Sequence, residues 1–185
     1  MTTANFWNER YKSGGNSGTG SYGRAADWKA EYVNNVLLEY NVRSILDFGC
    51  GDGNQLSLLN LNGIQYTGLD VSTHILEQNT RKFPQHTFKT FDPALKDRAD
   101  LCLSMEVIFH LMTDEEYNSY MFKLQEAADK LILIFSSYDE NGPKFPHVRH
   151  HDFRKDIGAN FKLINQKPYP FPQECWSTFF LYERV

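Results

Sequence analysis

Ile45-Leu-Asp-Phe-Gly-Cys-Gly-Asp-Gly-Asn-Gln55 constrains this chain more than any other stretch. Apolar residues around Asp47 read as the end of a buried strand. Gly49, Gly51 and Gly53 then make a tight turn, and Asn54-Gln55-Leu56 is expected to open a helix running to Leu61. Glycine has no Cβ to collide with a ligand and tolerates positive φ. A helix start behind such a turn would offer unpaired N–H groups to an anionic part of that ligand.

The flanking pattern alternates strands and helices. Helical spacing of Ala25, Trp28, Tyr32, Val33, Val36 and Leu37 predicts a helix over residues 24–40. Strands are expected at 42–48, at 64–70 ending on Asp70, at 86–91 ending at Asp92, and at 100–105. Ser72 is placed to cap a helix reaching Lys82, with Pro84 beyond it, and Thr113 with Glu116 forms a capping box for a helix to Ala128. Lys130–Ser136 is the most continuous apolar run, as a parallel strand covered on both faces requires. A Pro- and His-rich loop follows, then a short helix expected near 148–157 and a closing antiparallel pair at 161–166 and 177–183. This order predicts an α/β fold with a mostly parallel sheet.

The 185 residues are expected to form one domain. Within it, 1–23 is an aromatic and Gly/Ser lid segment, 24–136 a cofactor-binding core, and 137–185 the acceptor-side loop and closing strands. A formal charge of −4 argues against a general nucleic-acid binder. No apolar run approaches the about 20 residues that span a bilayer, and the first residues lack the features of a signal peptide. Cys50, Cys102 and Cys175 are odd in number and widely spaced, which reads as reduced thiols in a cytoplasmic protein. Nothing in the sequence specifies an oligomeric state.

The spacing G-x-G-x-G departs from the dinucleotide pattern, with Asn54 where its last glycine should fall, and no phosphate-binding G-x-x-x-x-G-K-[ST] is present. Asp47 is positioned to accept hydrogen bonds from the turn or from a ligand's ammonium group. Asp70, closing the second strand, can accept from ribose hydroxyls. Residues 47–53, with Asp70, Asp92 and Ser104-Met-Glu-Val-Ile-Phe-His-Leu111 in this order, resemble the class I S-adenosylmethionine-dependent methyltransferases. That resemblance implies a Rossmann-like seven-stranded sheet of order 3-2-1-4-5-7-6, with the last strand antiparallel and helices on both faces. It implies S-adenosylmethionine as cofactor, released as S-adenosylhomocysteine, with contacts from Asp47, Gly49, Gly51, Asp52, Asn54, Gln55, Asp70, Val71, Ser72, Asp92 and Glu106.

A narrower resemblance rests on Gly14–Gly23, Gly51–Gln55 and His147-Val-Arg-His150, which look like small methyltransferases of bacterial surface-polysaccharide gene clusters. It implies a carbohydrate or glycan acceptor methylated on a hydroxyl or on a group attached to the sugar. Position 151 is His where that family has Arg, so no role is carried onto it. Methylating a sugar hydroxyl calls for a base. The candidates are His110, His147 and His150, with Glu106 beside the fourth strand. His110 and Glu106 can equally hold their turn, and Lys144–Arg154 can equally be a solvated basic loop. Tyr11, Ser21 and Arg24 of the lid segment, with Arg149 and Trp176, are the candidate acceptor contacts. Tyr169 and Trp176 can stack on a sugar or lie in the core. Asp139, His147, His150 and His151 match no standard metal spacing, so no metal is expected. A small-metabolite or protein methyltransferase, and a cofactor-binding partner without turnover, are the rival readings.

Overall fold

The computed structural model describes residues 2–139, 142 and 145–185. Lys144, with which the expected basic loop begins, lies outside the described residues, as does Met1 of the lid segment. The chain divides into two compact units, ending and beginning at Phe91 and Asp92. Its strands form a seven-stranded sheet of order β3-β2-β1-β4-β5-β7-β6. The strands are Ser44–Phe48 (β1), Gln65–Asp70 (β2), Thr87–Thr90 (β3), Ala99–Met105 (β4), Ala128–Ser136 (β5), Phe161–Pro168 (β6) and Thr178–Arg184 (β7). β7 runs antiparallel to β5 and β6, as the sequence implies.

The first unit carries β1, β2 and β3 in parallel register, with helices α1 (Thr3–Lys12), α2 (Gly23–Glu39) and α3 (Thr73–Lys82). Residues 45–48 of β1 are all buried, so this strand has no solvent face to specify. The inner face of α2 is Ala26, Lys29, Ala30, Tyr32, Val33, Val36 and Leu37. Its first turns are therefore rotated from the expected Ala25/Trp28 stripe, and a lysine sits on the buried side. Ser72 Oγ caps α3 by accepting from Ile75 N. Tyr11, Cys50, Ile75 and Leu76 form a buried cluster with Trp7 and Phe88 against it, which draws α1 in through its aromatic residues.

The helix expected at 54–61 does not form; only a 3-10 turn at Leu56–Leu58 appears. Ser57 Oγ takes the Asn54 carbonyl at 2.6 Å, and Asn34 Oδ1 takes the Asn60 N–H at 2.7 Å. Both groups would otherwise serve the helix ladder. Asn60, Asn62 and Gly63 then offer little helix propensity to restore it.

In the second unit β4 and β5 pair in parallel, followed by the β5–β7 and β7–β6 ladders. β5 is buried from Leu131 to Ser136, and β7 from Thr178 to Tyr182. Helix α4 (Asp114–Ala127) begins at Thr113, whose Oγ1 accepts from Glu116 N at 3.1 Å. Glu116 reaches back one residue further than expected, to Met112 N at 3.2 Å. The helix expected near 148–157 shrinks to a 3-10 turn at Phe153–Asp156. Edge strand β6 is mostly exposed and carries Lys162, Lys167 and Pro168, residues that discourage pairing with another chain. No helix among the described residues is long and apolar enough to cross a membrane.

Candidate active site

The glycine turn follows β1 directly. Gly49, Gly51 and Gly53 have φ of 87°, 54° and 71°, values that other residues adopt only under strain. Each N–H from 49 to 54 has an internal acceptor. Gly49 and Cys50 donate to the Leu69 carbonyl at 2.7 and 2.9 Å, and Gly53 to Cys50 O at 3.3 Å. Gly51 donates to Asp70 Oδ2 at 3.0 Å, Asp52 to Ser17 Oγ at 3.0 Å, and Asn54 to Asp52 Oδ1 at 3.1 Å. The expected N–H cradle for an anion is therefore absent, as is the helix behind it. The side chains around the turn are acceptors instead, which suits a ligand bearing cationic and hydroxyl groups rather than phosphate.

Asp47 and Asp70, the carboxylates at the ends of β1 and β2, are both buried. Burial pushes the Asp47 carboxyl up to about 6, against the bond from Tyr66 OH at 2.7 Å and the charge of Lys29; the Asp70 charge adds to the rise. Asp70 is likewise pushed by burial up to about 6, although Ser72, Gly51 and Val71 N–H groups donate to it. Its two oxygens accept from Ser72 N at 2.9 Å and Gly51 N at 3.0 Å. A cation or hydroxyl donor arriving here would relieve the cost of two buried carboxylates. Gln55 is also buried. Its Nε2 donates to the Ala26 carbonyl at 3.1 Å.

The N-terminal segment closes over this turn. Ser17 Oγ lies 3.0 Å from Tyr11 OH, and a Cβ on Gly51 would come within 2.4 Å of it. Asp52 Oδ2 accepts from Ser17 N and from Tyr22 OH, each at 2.8 Å. Burial works against the Asp52 charge, but bonds from Ser17, Tyr22 and Asn54 outweigh it and hold the carboxyl below its usual range. Asn54 Nδ2 donates to Ser21 O at 2.7 Å. Ser72 Oγ donates to Asn8 Oδ1 at 3.0 Å. Of the candidate acceptor contacts in this segment, Tyr11 is buried against Ser17, Ser21 holds the turn through its carbonyl, and Arg24 is exposed on α2.

In the second unit, Asp92 is exposed and holds the Ala94 N–H at 2.8 Å. Glu106 follows β4 with φ of 59°, a left-handed conformation rare for a residue with a side chain and costing about 1–2 kcal/mol. Its N–H is fixed to Phe135 O at 2.7 Å, and Cys175 Sγ donates to its Oε1 at 3.6 Å. Burial raises the Cys175 thiol, and the Glu106 charge adds to the rise.

His110 Nδ1 lies 2.8 Å from His147 O, and the two rings stack at 5.4 Å and 17°. A carbonyl only accepts, so Nδ1 carries the proton and Nε2 the lone pair of the neutral ring. The same reasoning puts the His151 proton on Nε2, which donates to Leu111 O at 3.0 Å. His151 packs flat on Tyr117 at 4.0 Å, and burial depresses its basicity. His150 Nδ1 is 2.5 Å from Ser137 Oγ. Arg149 is turned to the start of α4: it donates to Asp114 Oδ1 at 2.6 Å and Met112 O at 3.2 Å. Its guanidinium thus serves the loop, as the solvated-loop reading has it. Among the described residues no three His, Cys, Asp or Glu side chains converge on a metal-sized point.

A cavity of about 540 Å³ opens in this unit, walled by Tyr138, Asp152, Arg154, Tyr169 and Trp176, with Ser137 and Cys175 in its lining. The last two are the partners of His150 and Glu106. Arg154 lies over the Tyr138 ring at 4.1 Å and grips Asp152 through Nε at 2.6 Å and Nη2 at 3.0 Å. Trp176 is 55% exposed while Tyr169 is buried at 4%, with its hydroxyl on Glu174 at 3.1 Å. Tyr169 therefore belongs to the core, while Trp176 is open to solvent at the cavity wall.

Sequence reasoning missed Ser17, Tyr22, Lys29, Tyr66, Asn79 and Cys175. Asn79 had a signal: it shares the inner face of α3 with Ile75 and Leu76, and its Nδ2 donates to Gly51 O at 2.7 Å. Lys29 had no such signal, because the expected stripe of α2 ran through Trp28 and a lysine does not read as a core residue. Ser17, Tyr66 and Cys175 had none, because their partners lie 19 to 69 residues away.

A family model described as a methyltransferase domain matches residues 22–178. A search of the curated proteins finds no match. Among solved structures, magnesium protoporphyrin IX methyltransferase from Synechocystis PCC 6803 with bound S-adenosylhomocysteine superposes with TM-score 0.76 at 18% identity, covering 98% of both chains. The N-methyltransferase NodS from Bradyrhizobium japonicum WM9, also with S-adenosylhomocysteine, gives 0.68 at 12% identity over 85% of this chain and 87% of its own. An S-adenosylmethionine-dependent methyltransferase from Clostridium acetobutylicum ATCC 824 gives 0.66 at 11% identity over 98% and 97%. At these identities the likeness is one of fold.

Proposed function

We propose an acceptor and a route for its proton from one premise: the chain belongs to the class I S-adenosylmethionine-dependent methyltransferase family, and its cofactor is S-adenosylmethionine. The first unit's residues fit that cofactor. Its turn engages its own N–H groups, as a phosphate-free ligand allows, and it presents Asp47 and Asp70 to ammonium and ribose hydroxyl groups. Gln55 adds a buried acceptor, Oε1, that no protein group satisfies. Gly49, Gly51, Asp52, Asn54, Val71 and Ser72 shape the same surface; Asp92 and Glu106 complete the proposed contacts.

The proposed acceptor is a hydroxyl of a carbohydrate or glycan precursor, and the enzyme an O-methyltransferase. When bound, the cofactor supplies an electrophilic methyl carbon on a sulfonium. His110 Nε2 takes the acceptor's hydroxyl proton as the new C–O bond forms and the S–C bond breaks. The observation that carries this role is the Nδ1–H bond from His110 to the His147 carbonyl at 2.8 Å, which leaves the lone pair on Nε2. His147 stacks on that ring, His150 extends the imidazole cluster through Ser137, and Glu106 holds the turn. The cavity supports a sugar: Trp176 offers an apolar face, and Asp152 and Arg154 offer hydrogen-bonding groups. Tyr11, Ser21 and Arg149 remain in the proposed acceptor set through the N-terminal segment and the loop they hold, and Arg24 through its exposed place on α2. Free thiols at Cys50, Cys102 and Cys175 support a reducing, cytoplasmic setting.

The test follows a labelled methyl group. Purified protein and methyl-labelled S-adenosylmethionine are incubated with lysate fractions of glycans and nucleotide sugars, protein, nucleic acid and small metabolites. Label is expected in the carbohydrate fraction and lost with His110→Ala. Label in another fraction overturns the acceptor.

A further inference from the structure

The arginines of the second unit are used in two ways. Arg98, Arg149 and Arg184 each donate to a main-chain carbonyl, those of Glu126, Met112 and Ala128, and so tie one segment of the chain to another. Arg154 makes no bond of that kind among the described residues. Both its hydrogen bonds go to the one carboxylate of Asp152, through Nε at 2.6 Å and Nη2 at 3.0 Å, and it stands in the wall of the cavity.

Its position is fixed from several sides. The guanidinium lies 4.1 Å over the Tyr138 ring, and Tyr138 meets Phe180 edge-on at 5.4 Å. Phe153, the residue before Arg154, meets the same Phe180 ring edge-on at 5.3 Å, and both phenylalanines are fully buried. A long side chain ordinarily loses rotamer freedom when it takes hold of a ligand. Here the stack and the ion pair have already removed that freedom.

The edge left open has a definite shape. With Nε–H and one Nη2–H on Asp152, both N–H groups of Nη1 and the second of Nη2 remain, lying in one plane. Among the described residues no group accepts from Nη1. Such a fork matches two oxygens of a carboxylate or phosphate, whereas a single hydroxyl would answer only part of it. Charge points the same way. Asp152 faces two cations, Arg154 and the Lys155 ammonium at 3.3 Å, so this group keeps a positive excess. The further charged residue of the lining, Asp139, is exposed, where water and salt screen it.

We propose that the carbohydrate acceptor bears an oxyanion, a carboxylate or a phosphate, and that Arg154 takes it through the Nη1–Nη2 edge. Arg154 is then the residue that separates anionic acceptors from neutral ones. The proposal rests on the acceptor reading above and narrows it to a charged class.

The labelled-methyl assay tests this once the carbohydrate fraction is divided into three portions. One is untreated, one is treated with phosphodiesterase and phosphatase, and one is amidated with carbodiimide and ammonia, which turns carboxylates into neutral amides. One of the two treatments is expected to lower transfer by about tenfold or more, and whichever does so names the oxyanion. Arg154→Gln should lower transfer to the untreated portion by about tenfold to hundredfold, the range for charge-assisted bonds, with the loss recovered at higher acceptor concentration. Its residual transfer to the neutralised portion should stay within about twofold of wild type. Arg154→Lys keeps a cation beside Asp152 and should keep the wild-type thermal midpoint, yet without the fork it should restore only part of the transfer. Transfer that survives both treatments overturns this inference and leaves a neutral carbohydrate acceptor standing. So does an Arg154→Gln variant that lowers transfer to all three portions alike, the mark of an arginine that only holds its turn. Label confined to fractions without carbohydrate removes the acceptor reading and this inference together.

Discussion

The glycine turn of the first unit and the histidine turn of the second solve opposite problems. Around residues 49–54 the turn's N–H groups are all engaged within the protein, and the carboxylates beside the turn, Asp47 and Asp70, are acceptors made costly by burial. Around residues 106–110 and 147–151 backbone carbonyls hold imidazoles by one nitrogen, which sets the character of the other. The first arrangement stores binding energy for a particular ligand. The second fixes a tautomer. Binding and chemistry should therefore be separable by mutation, and that separation can be attacked directly.

The largest expected effect is on rate. His110→Ala should lower methyl transfer by about 10²–10⁴-fold, the usual range for a general base, with cofactor affinity unchanged by calorimetry. A matching loss of cofactor affinity would collapse the distinction between the two regions. Next is Asp70→Ala, which removes the acceptor for Gly51 and Ser72 N–H groups as well as the carboxylate proposed for the ribose. Cofactor affinity should fall by about a hundredfold or more. Unchanged affinity would count heavily against the scheme.

Asp47 and Asp70 have carboxyls raised from the ordinary carboxylate range to about 6. Between those two values the folded state holds more protons than the unfolded state, so raising the pH removes stability; above about 6 the full cost of the buried charges is present. A cation at this site favours the ionised form, so affinity for the cofactor should rise as pH climbs toward about 6, by up to about tenfold per unit for one proton released, and level off above it. Asp47→Asn should reduce that slope to the part that belongs to Asp70, read by calorimetry over the same pH range. The smallest expected effect belongs to the cavity. Trp176→Ala should raise the acceptor KM by about tenfold and leave the cofactor's Kd where it was.

The two regions also differed in how much of them could be read from residues alone. The turn was legible because strand, glycines and Asp47 are contiguous, and a closing acidic residue like Asp70 is set by the length of the second strand. What could not be read there was the fate of the N–H groups. The missing helix depended on Asn34 and Ser57 diverting two backbone groups, and Ser17 reaches Asp52 from 35 positions away. In the second unit the histidines were visible as a cluster, but their partners were backbone carbonyls, which carry no sequence signal. Arg149 illustrates the limit. It was a candidate acceptor contact, whereas Asp114, 35 residues earlier, holds its guanidinium. Only the first turns of α2 were misread, Ala25 and Trp28 standing for Ala26 and Lys29, because Lys29 does not look like a core residue; Tyr32, Val33, Val36 and Leu37 face inward as expected.

Glu106 bears on how this protein can be improved. A side chain stands there on a left-handed backbone, φ 59°, where glycine would rest without strain. Glu106→Gly should therefore stabilise the fold while removing the carboxylate that receives the Cys175 thiol and that is proposed to hold the turn before His110. A laboratory selection for heat resistance alone would be drawn to this codon early, and its winners would be tougher and slower. Breeding for turnover and breeding for shelf life would pull this one position in opposite directions.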